Sequence, residues 1–425
     1  MKPSDGDKAK SPSWFYAMLP AAIATGPVGT LIQLYVLELH GSVLDVGLVT
    51  SVFNAVSIPA AIIWGYVTDR FHNRKAIVAA SSLAISGNLI LLLLLNTISG
   101  VAILYGLFSL LTAASATPLN LLVMETSPKS HWATAFARFS MVSSIGNTIG
   151  FLIGSVWPTL FPLQLLVVPL SLLSAASAIL SVILIREPSF VFEGEIIAMQ
   201  KRSFYQRLLV LPLVFLRVPG ATDFRAVFKG LRYQLTGQLP ILYFSIFAFY
   251  FSSGVFNTSL TPSLKVAGST EGEIFLVSLL GVAVQTASFY FAGPYIERRT
   301  LRVAALGGLA LRAVCYGLIG LGAAFLTGTP YLATTLGLYP LASGLAFATY
   351  YTASNTMVFN MLGAKRQGSR LGVYSALVGV AVTVGSLVSG FTSFYLGFAV
   401  TFVVSALALV LAAALTSLIS DKPSG

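Results

Sequence analysis

Long apolar runs, each about the length of a bilayer crossing, alternate along this chain with short polar breaks. A helix needs about 20 residues to cross the hydrocarbon core, and runs of that length stand at 14–38, 43–67, 76–95, 100–124, 134–157 and 163–185. The pattern then stops. Residues 186–238 are mixed and charged, and further runs follow at 239–263, 273–293, 301–325, 330–354, 370–394 and 397–419. Inside the break, 208–218 is apolar but holds Pro212 and Arg217. As a helix it would rise only about 16 Å, half a bilayer, so an interfacial or cytoplasmic segment is expected there. The pattern predicts an all-α membrane protein of 12 transmembrane helices in two six-helix bundles. It divides into a tail at 1–12, a bundle at 13–186, a basic linker at 187–238, a second bundle at 239–420 and a tail at 421–425.

Composition agrees with the pattern. Of 425 residues 56% are hydrophobic and 9% charged, with a mean hydropathy of +0.85, whereas a soluble domain carries roughly a quarter charged residues. Residues 1–12 are polar and the apolar stretch after them is too long for a signal-peptide core, so a retained first anchor is expected. The lone cysteine, Cys315, lies in an apolar run; it rules out an intramolecular disulfide and cysteine-held zinc.

A formal charge of +11 would suggest nucleic acid in a soluble chain, but its placement says otherwise. With both termini on one side, 23 of the 25 Lys and Arg fall in the tails, linker and loops of that side; Lys265 falls opposite and Arg312 within a span. The positive-inside rule then puts both termini and the linker in the cytoplasm, and the charge reads as a topology signal with attraction to anionic lipid.

The halves echo each other. Gly65-x-x-x-Asp69-Arg70 ends the second run and Gly293-x-x-x-Glu297-Arg298 the eighth, 228 residues on. Asn120 and Asn355, Ser140 and Ser375, and Gly150 and Gly385 match at an offset of 235. Twelve spans in two sixes, a long basic central loop and Gly65-x-x-x-Asp69-Arg70-Phe71-His72-Asn73-Arg74-Lys75 together resemble the major facilitator superfamily over essentially the whole chain. The resemblance implies a pseudo-symmetric pair of bundles and a cytoplasmic latch of Gly65, Asp69, Arg70 and Arg74, with Gly293, Glu297 and Arg298 as a weaker copy. His72 departs from the family pattern, which has glycine there, and Asn73 is expected to make the turn because it tolerates a left-handed backbone.

In the fifth span Gly146, Gly150 and Gly154 recur every four residues, a smooth face for close helix packing. The stretch is similar to a signature of proton-coupled exporters, with Phe151 and Ser155 departing from it. The family fold implies that spans one, four, seven and ten line the central path. The candidate cavity residues are therefore Gln33, Asn120, Asn257, Tyr350, Tyr351 and Asn355, since a polar group in a span must find a partner or a water-filled cavity.

No carboxylate stands at mid-membrane, so Glu38 and Glu125, near span ends, are the candidate proton-coupling groups. Arg312 is the one charge deep in a span; span nine is peripheral in the family fold, and pairing between helices is expected for it. An enzyme would need convergent catalytic groups, yet His40, His72 and His131 are scattered over different loops. The reading is thus a transporter working by alternating access, not an enzyme. First comes proton-linked export of small amphipathic compounds, with uptake or facilitated exchange of a small polar solute, or a nontransporting receptor or scaffold, as alternatives. The expected partners are a small-molecule substrate and the lipid bilayer, with no nucleic acid, cofactor or metal; a monomer in the cytoplasmic membrane is expected.

Overall fold

The computed structural model describes residues 13–71, 73–126, 132–185, 238–297, 300–362 and 367–419. Twelve helices among them are long and apolar enough to cross a membrane: α1 (Trp14–Glu38), α2 (Val43–Thr68), α3 (Arg74–Leu94), α4 (Ile98–Val123), α5 (Arg138–Thr159), α6 (Leu163–Leu184), α7 (Leu239–Val266), α8 (Glu271–Phe291), α9 (Leu301–Phe325), α10 (Gly328–Val358), α11 (Tyr374–Leu396) and α12 (Phe398–Ser417). The tails, most of the linker with its apolar stretch at 208–218, and His72, His131 and Arg298 lie outside the described residues. Large apolar side chains such as Ile103, Leu172, Ile179 and Tyr290 remain exposed on the helices, a surface that lipid covers.

Six crossings return the chain to the side it started from, and packing confirms it. Trp14 and Phe15 cluster with Ile185 at one end of the first bundle, and Leu239 clusters with Ile419 at the same end of the second. We call this the terminal face and the opposite one the far face.

Helices begin where polar side chains can take up their free backbone N–H groups. At the far face Ser42 and Asp45 form a reciprocal capping box at the start of α2, with Ser42 N donating to Asp45 Oδ2 at 2.7 Å and Asp45 N to Ser42 Oγ at 3.3 Å. Thr270 and Glu273 repeat it before α8, with Thr270 N donating to Glu273 Oε2 at 2.7 Å and Glu273 N to Thr270 Oγ1 at 3.3 Å. The two boxes are 228 residues apart, the offset of the glycine–acid–arginine echo. Asn73 corrects an expectation: its φ is −83° rather than positive, and its side chain caps α3 by accepting from Ala76 N at 2.9 Å. The residue is used for its carboxamide oxygen, not for backbone tolerance.

Lipid gives helices no hydrophobic reason to associate, so small residues and hydroxyls join them. Ser171 and Ser174 of α6 donate to the carbonyls of Ser86 and Ser82 in α3 at 3.1 and 2.7 Å. Ser252 of α7 and Ser405 of α12 donate to each other's carbonyls at 2.8 and 2.9 Å. In α5, a Cβ on Gly146 would stand 2.6 Å from Ala22 Cβ, and one on Gly150 would strike the Ile23 carbonyl and the Pro27 ring of α1. That close approach sits where α1 breaks, since Gly26 and Pro27 separate its two helical pieces. Gly154 instead packs on the Phe275 ring of α8.

The halves meet toward the far face. Gly47, near the far end of α2, lies against Gly390 near the far end of α11; a Cβ on Gly47 would be 2.5 Å from Gly390 Cα. Gly272 at the start of α8 abuts the Ser155 carbonyl near the end of α5. Gly379 faces Ile58 at mid-span. Toward the terminal face, a Cβ on Gly65 would meet nothing within 4 Å.

Candidate functional site

Between the halves lies a cavity of about 400 Å³, within the usual size of small-molecule sites. The first half supplies Gln33 from α1, Thr50, Phe53 and Asn54 from α2, and Tyr105 from α4. The second half supplies Tyr250, Ser253, Gly254, Asn257 and Thr258 from α7, Gln285 from α8, Arg312 from α9, Tyr339, Ser343 and Phe347 from α10, and Val382 and Ser386 from α11. Ser386 ties the walls together, its Oγ accepting from Asn54 Nδ2 and Thr258 Oγ1, each at 3.1 Å.

The chain's local irregularities gather here. After Pro340, residues Leu341–Ala346 of α10 widen into a π-helical turn, a feature that re-aims side chains and is frequent at functional sites. It carries Ser343 into the lining and precedes Phe347. Gly344 makes room for it, because a Cβ there would stand 2.7 Å from Val284 Cγ1 of α8.

Among the described residues Arg312 is the only charge that lines the cavity, and it is 2% exposed. Its Nε and Nη2 donate to Tyr316 Oη at 2.9 and 2.6 Å, one helical turn on. The guanidinium carbon lies 4.7, 5.1 and 5.4 Å from the ring centres of Phe249, Tyr316 and Phe347. Cation–π contacts of this kind are worth roughly 2 kcal/mol when desolvated, comparable with the roughly 2.5–3.5 kcal/mol that insertion scales assign to arginine in a span. Tyr316 is itself held by a parallel stack on Phe256, ring centres 3.6 Å apart. Nη1 is buried and finds no hydrogen-bond partner among the described residues.

Of the candidate cavity residues, Gln33 and Asn257 line this space. Tyr350 is 1% exposed and packed on Phe249, ring centres 4.1 Å apart, behind the wall. Tyr351 stacks on Phe347 and stands edge-on to Phe289, outside the lining. Asn120, exposed, and Asn355, half-buried, sit nearer the terminal face and also outside it. Arg312 was expected to pair between helices on a peripheral span. Its hydrogen bonds stay within its own helix, its ring contacts reach Phe249 of α7 and Phe347 of α10, and it lines the cavity, which hydropathy alone could not reveal because periodicity does not say which neighbour a helix face meets.

Glu38 ends α1 at the far face, half-buried, with Gln164 as a hydrogen-bond partner of its carboxylate and Oε2 left without one among the described residues. It lies within electrostatic range of Lys265 and Glu271 from the other half, which pair at 2.8 Å. The side chains of Asp69, Arg70, Glu125 and Glu297 lie outside the described ones, and Arg74 is half-buried at the start of α3. Among the described residues no cluster of His, Cys, Asp or Glu could hold a metal.

A family model described as Major Facilitator Superfamily matches residues 14–229 and 242–424. No curated protein matches the sequence. Among solved structures, the nucleoside transporter NupG is 15% identical with a TM-score of 0.69, covering 95% of this chain and 98% of its own. A bacterial homologue of the human lysosomal transporter Spinster, in an inward-facing and unoccupied conformation, is 17% identical with a TM-score of 0.70, covering 97% of each chain. A variant of the peptide transporter POT is 14% identical with a TM-score of 0.71, covering 95% of this chain and 93% of its own. At these identities the likeness is one of fold.

Proposed function

The chain belongs to the major facilitator superfamily, and on that premise we propose that it carries a small solute across the membrane by alternating access, with the central cavity as its binding site. The supporting observation is the cavity's position: both halves line it, and the halves press together on the far-face side of it at Gly47 and Gly390. Rocking the halves about the cavity would open that seam and close the other. With the basic loops in the cytoplasm, the closed far face is the outer one. Gly65, with open space before it, would receive a helix when the terminal face closes, beside the latch of Asp69, Arg70 and Arg74. The lining of amides, hydroxyls and one cation fits a polar solute in uptake or exchange better than a purely lipophilic one.

One observation favours proton linkage and export as a second reading. Glu38, with one unpartnered oxygen, stands at the far face within electrostatic range of Lys265 and Glu271 of the opposite half, where a change of protonation would alter the closed far face.

Flux in proteoliposomes tests both. Solute uptake should saturate, and Asn257→Trp, which fills the cavity, should abolish it in protein that still purifies as a single species. Undiminished flux in that variant would remove the cavity from the path. If Glu38 carries the coupled proton, Glu38→Gln should erase the dependence of flux on an imposed pH gradient; equal gradient dependence in both proteins would rule it out.

A further inference from the structure

We propose that the solute is a monoanion whose carboxylate is received by Arg312, an inference that rests on reading the cavity as the transport site. Two of the guanidinium's three nitrogens are engaged by Tyr316 and its surroundings are aromatic. What remains is Nη1, buried and without an acceptor among the described residues, on a side chain that lines the cavity. A structural arginine would be expected to place its last donors on a carbonyl or carboxylate, because a buried donor left unpaired is costly. Here the donors are left for something that enters.

The charge count points the same way. Among the described residues no acidic side chain lines the cavity. Glu38, Asp45, Glu271 and Glu273 stand at helix ends on the far face, and Asp69, Glu125 and Glu297 follow the membrane-crossing parts of α2, α4 and α8 at the terminal face. The cavity therefore holds one uncompensated positive charge in a low-dielectric setting, where an opposite charge is attracted far more strongly than in water. One carboxylate balances it; a dianion would leave a charge over. Guanidinium–carboxylate hydrogen bonds are the strong, charge-assisted kind.

The rest of the lining describes the rest of the solute. Phe53 and Tyr105 stack with ring centres 4.5 Å apart, and Tyr250, Tyr339 and Phe347 add apolar faces. A carboxylate on a compact aromatic or apolar body fits that arrangement.

The test uses paired probes on the purified full-length protein: benzoate against benzamide, 3-phenylpropionate against 3-phenylpropionamide, and lactate against lactamide, with succinate as the dianion. The monoacids should raise the melting temperature and cross proteoliposome membranes, while the amides and succinate do neither. Arg312→Gln should weaken acid binding about 10- to 100-fold, the loss expected for a hydrogen bond to a charged partner. Arg312→Lys should keep part of it, since charge remains and the planar fork does not. The comparison within the wild-type protein stands even where a variant fails to fold. Amides that bind as well as their acids, no response to any monoacid, or undiminished acid preference in Arg312→Gln would each overturn the inference. Flux of neutral solutes alone leaves the carrier reading standing and removes the anion. Acid-selective binding without flux does the reverse.

Discussion

At the offset of 228 residues that relates the two capping boxes, Ala84 and Asn88 of α3 stand where Arg312 and Tyr316 stand in α9. Asn88 is 3% exposed and donates to the Leu104 carbonyl of α4 at 3.2 Å, a link between neighbouring helices. Tyr316 accepts from the guanidinium of Arg312, a residue that lines the cavity. The two halves thus share a frame, visible in the repeated caps and in the serine contacts that join α1 to α6, where Ser177 Oγ donates to the Ala17 carbonyl at 2.8 Å, and α7 to α12, while their contributions to the cavity are unequal. The first half brings amides, a hydroxyl and two rings; the second brings the one charge among the described lining residues. A duplicated scaffold needs matching surfaces to rock, but a binding site gains selectivity from groups that are not duplicated.

The largest effect should come from breaking the shared frame. Gly47 and Gly390 meet with no room for a side chain, so Gly47→Leu should hold the far face apart and abolish transport. The protein's lone cysteine, Cys315, is buried; after Cys315→Ser, a cysteine placed at Ser386 should become reactive from the far face in Gly47→Leu and stay protected without it. Protection in both would show that the seam tolerates the leucine and that the halves do not meet there.

A smaller effect separates α9 from α3. Tyr316→Phe removes the acceptor of two guanidinium donors, and hydrogen bonds to charged groups are worth about 1.5–3 kcal/mol. Asn88→Ala removes a neutral bond worth about 1 kcal/mol. Melting of the ligand-free proteins should therefore fall further for Tyr316→Phe, and only that variant should alter solute binding. Equal changes in both would mean that Arg312 is a packing element like its counterpart and not part of the site.

How much of this was legible before the structure varies with the kind of signal. The twelve crossings follow from hydropathy because bilayer thickness sets helix length, and the observed helices differ from the expected runs by a few residues at their ends. The glycine ladder of α5 was legible as a packing face, since glycine at every fourth residue leaves a smooth stripe; that it meets the break in α1 was not. The cavity was only partly legible. Gln33 and Asn257 stand out as amides in apolar runs, whereas Phe53, Tyr105 and Phe347 are indistinguishable in sequence from lipid-facing or core aromatics. The π-turn at Leu341–Ala346 leaves Pro340 as its one visible sign, and proline is common in spans for other reasons. Arg312 was visible as an anomaly, but its direction depends on the rotation of α9, which packing against α10 and α12 sets.

The smallest effect tests whether the frame is shared as closely as its caps suggest. Ser42 and Thr270 begin α2 and α8 with the same reciprocal bonds, and replacing a capping hydroxyl costs about 1 kcal/mol. Ser42→Ala and Thr270→Ala should each lower unfolding stability by that amount, nearly equally, and leave solute binding untouched because both caps lie at the far face, away from the cavity lining. The caps also neighbour the seam, since α2 packs on α11 and α8 on α5. An unequal loss, or a change in flux without a change in stability, would mean that one cap participates in opening the far face. The difference between the halves would then extend beyond the cavity to the movement itself.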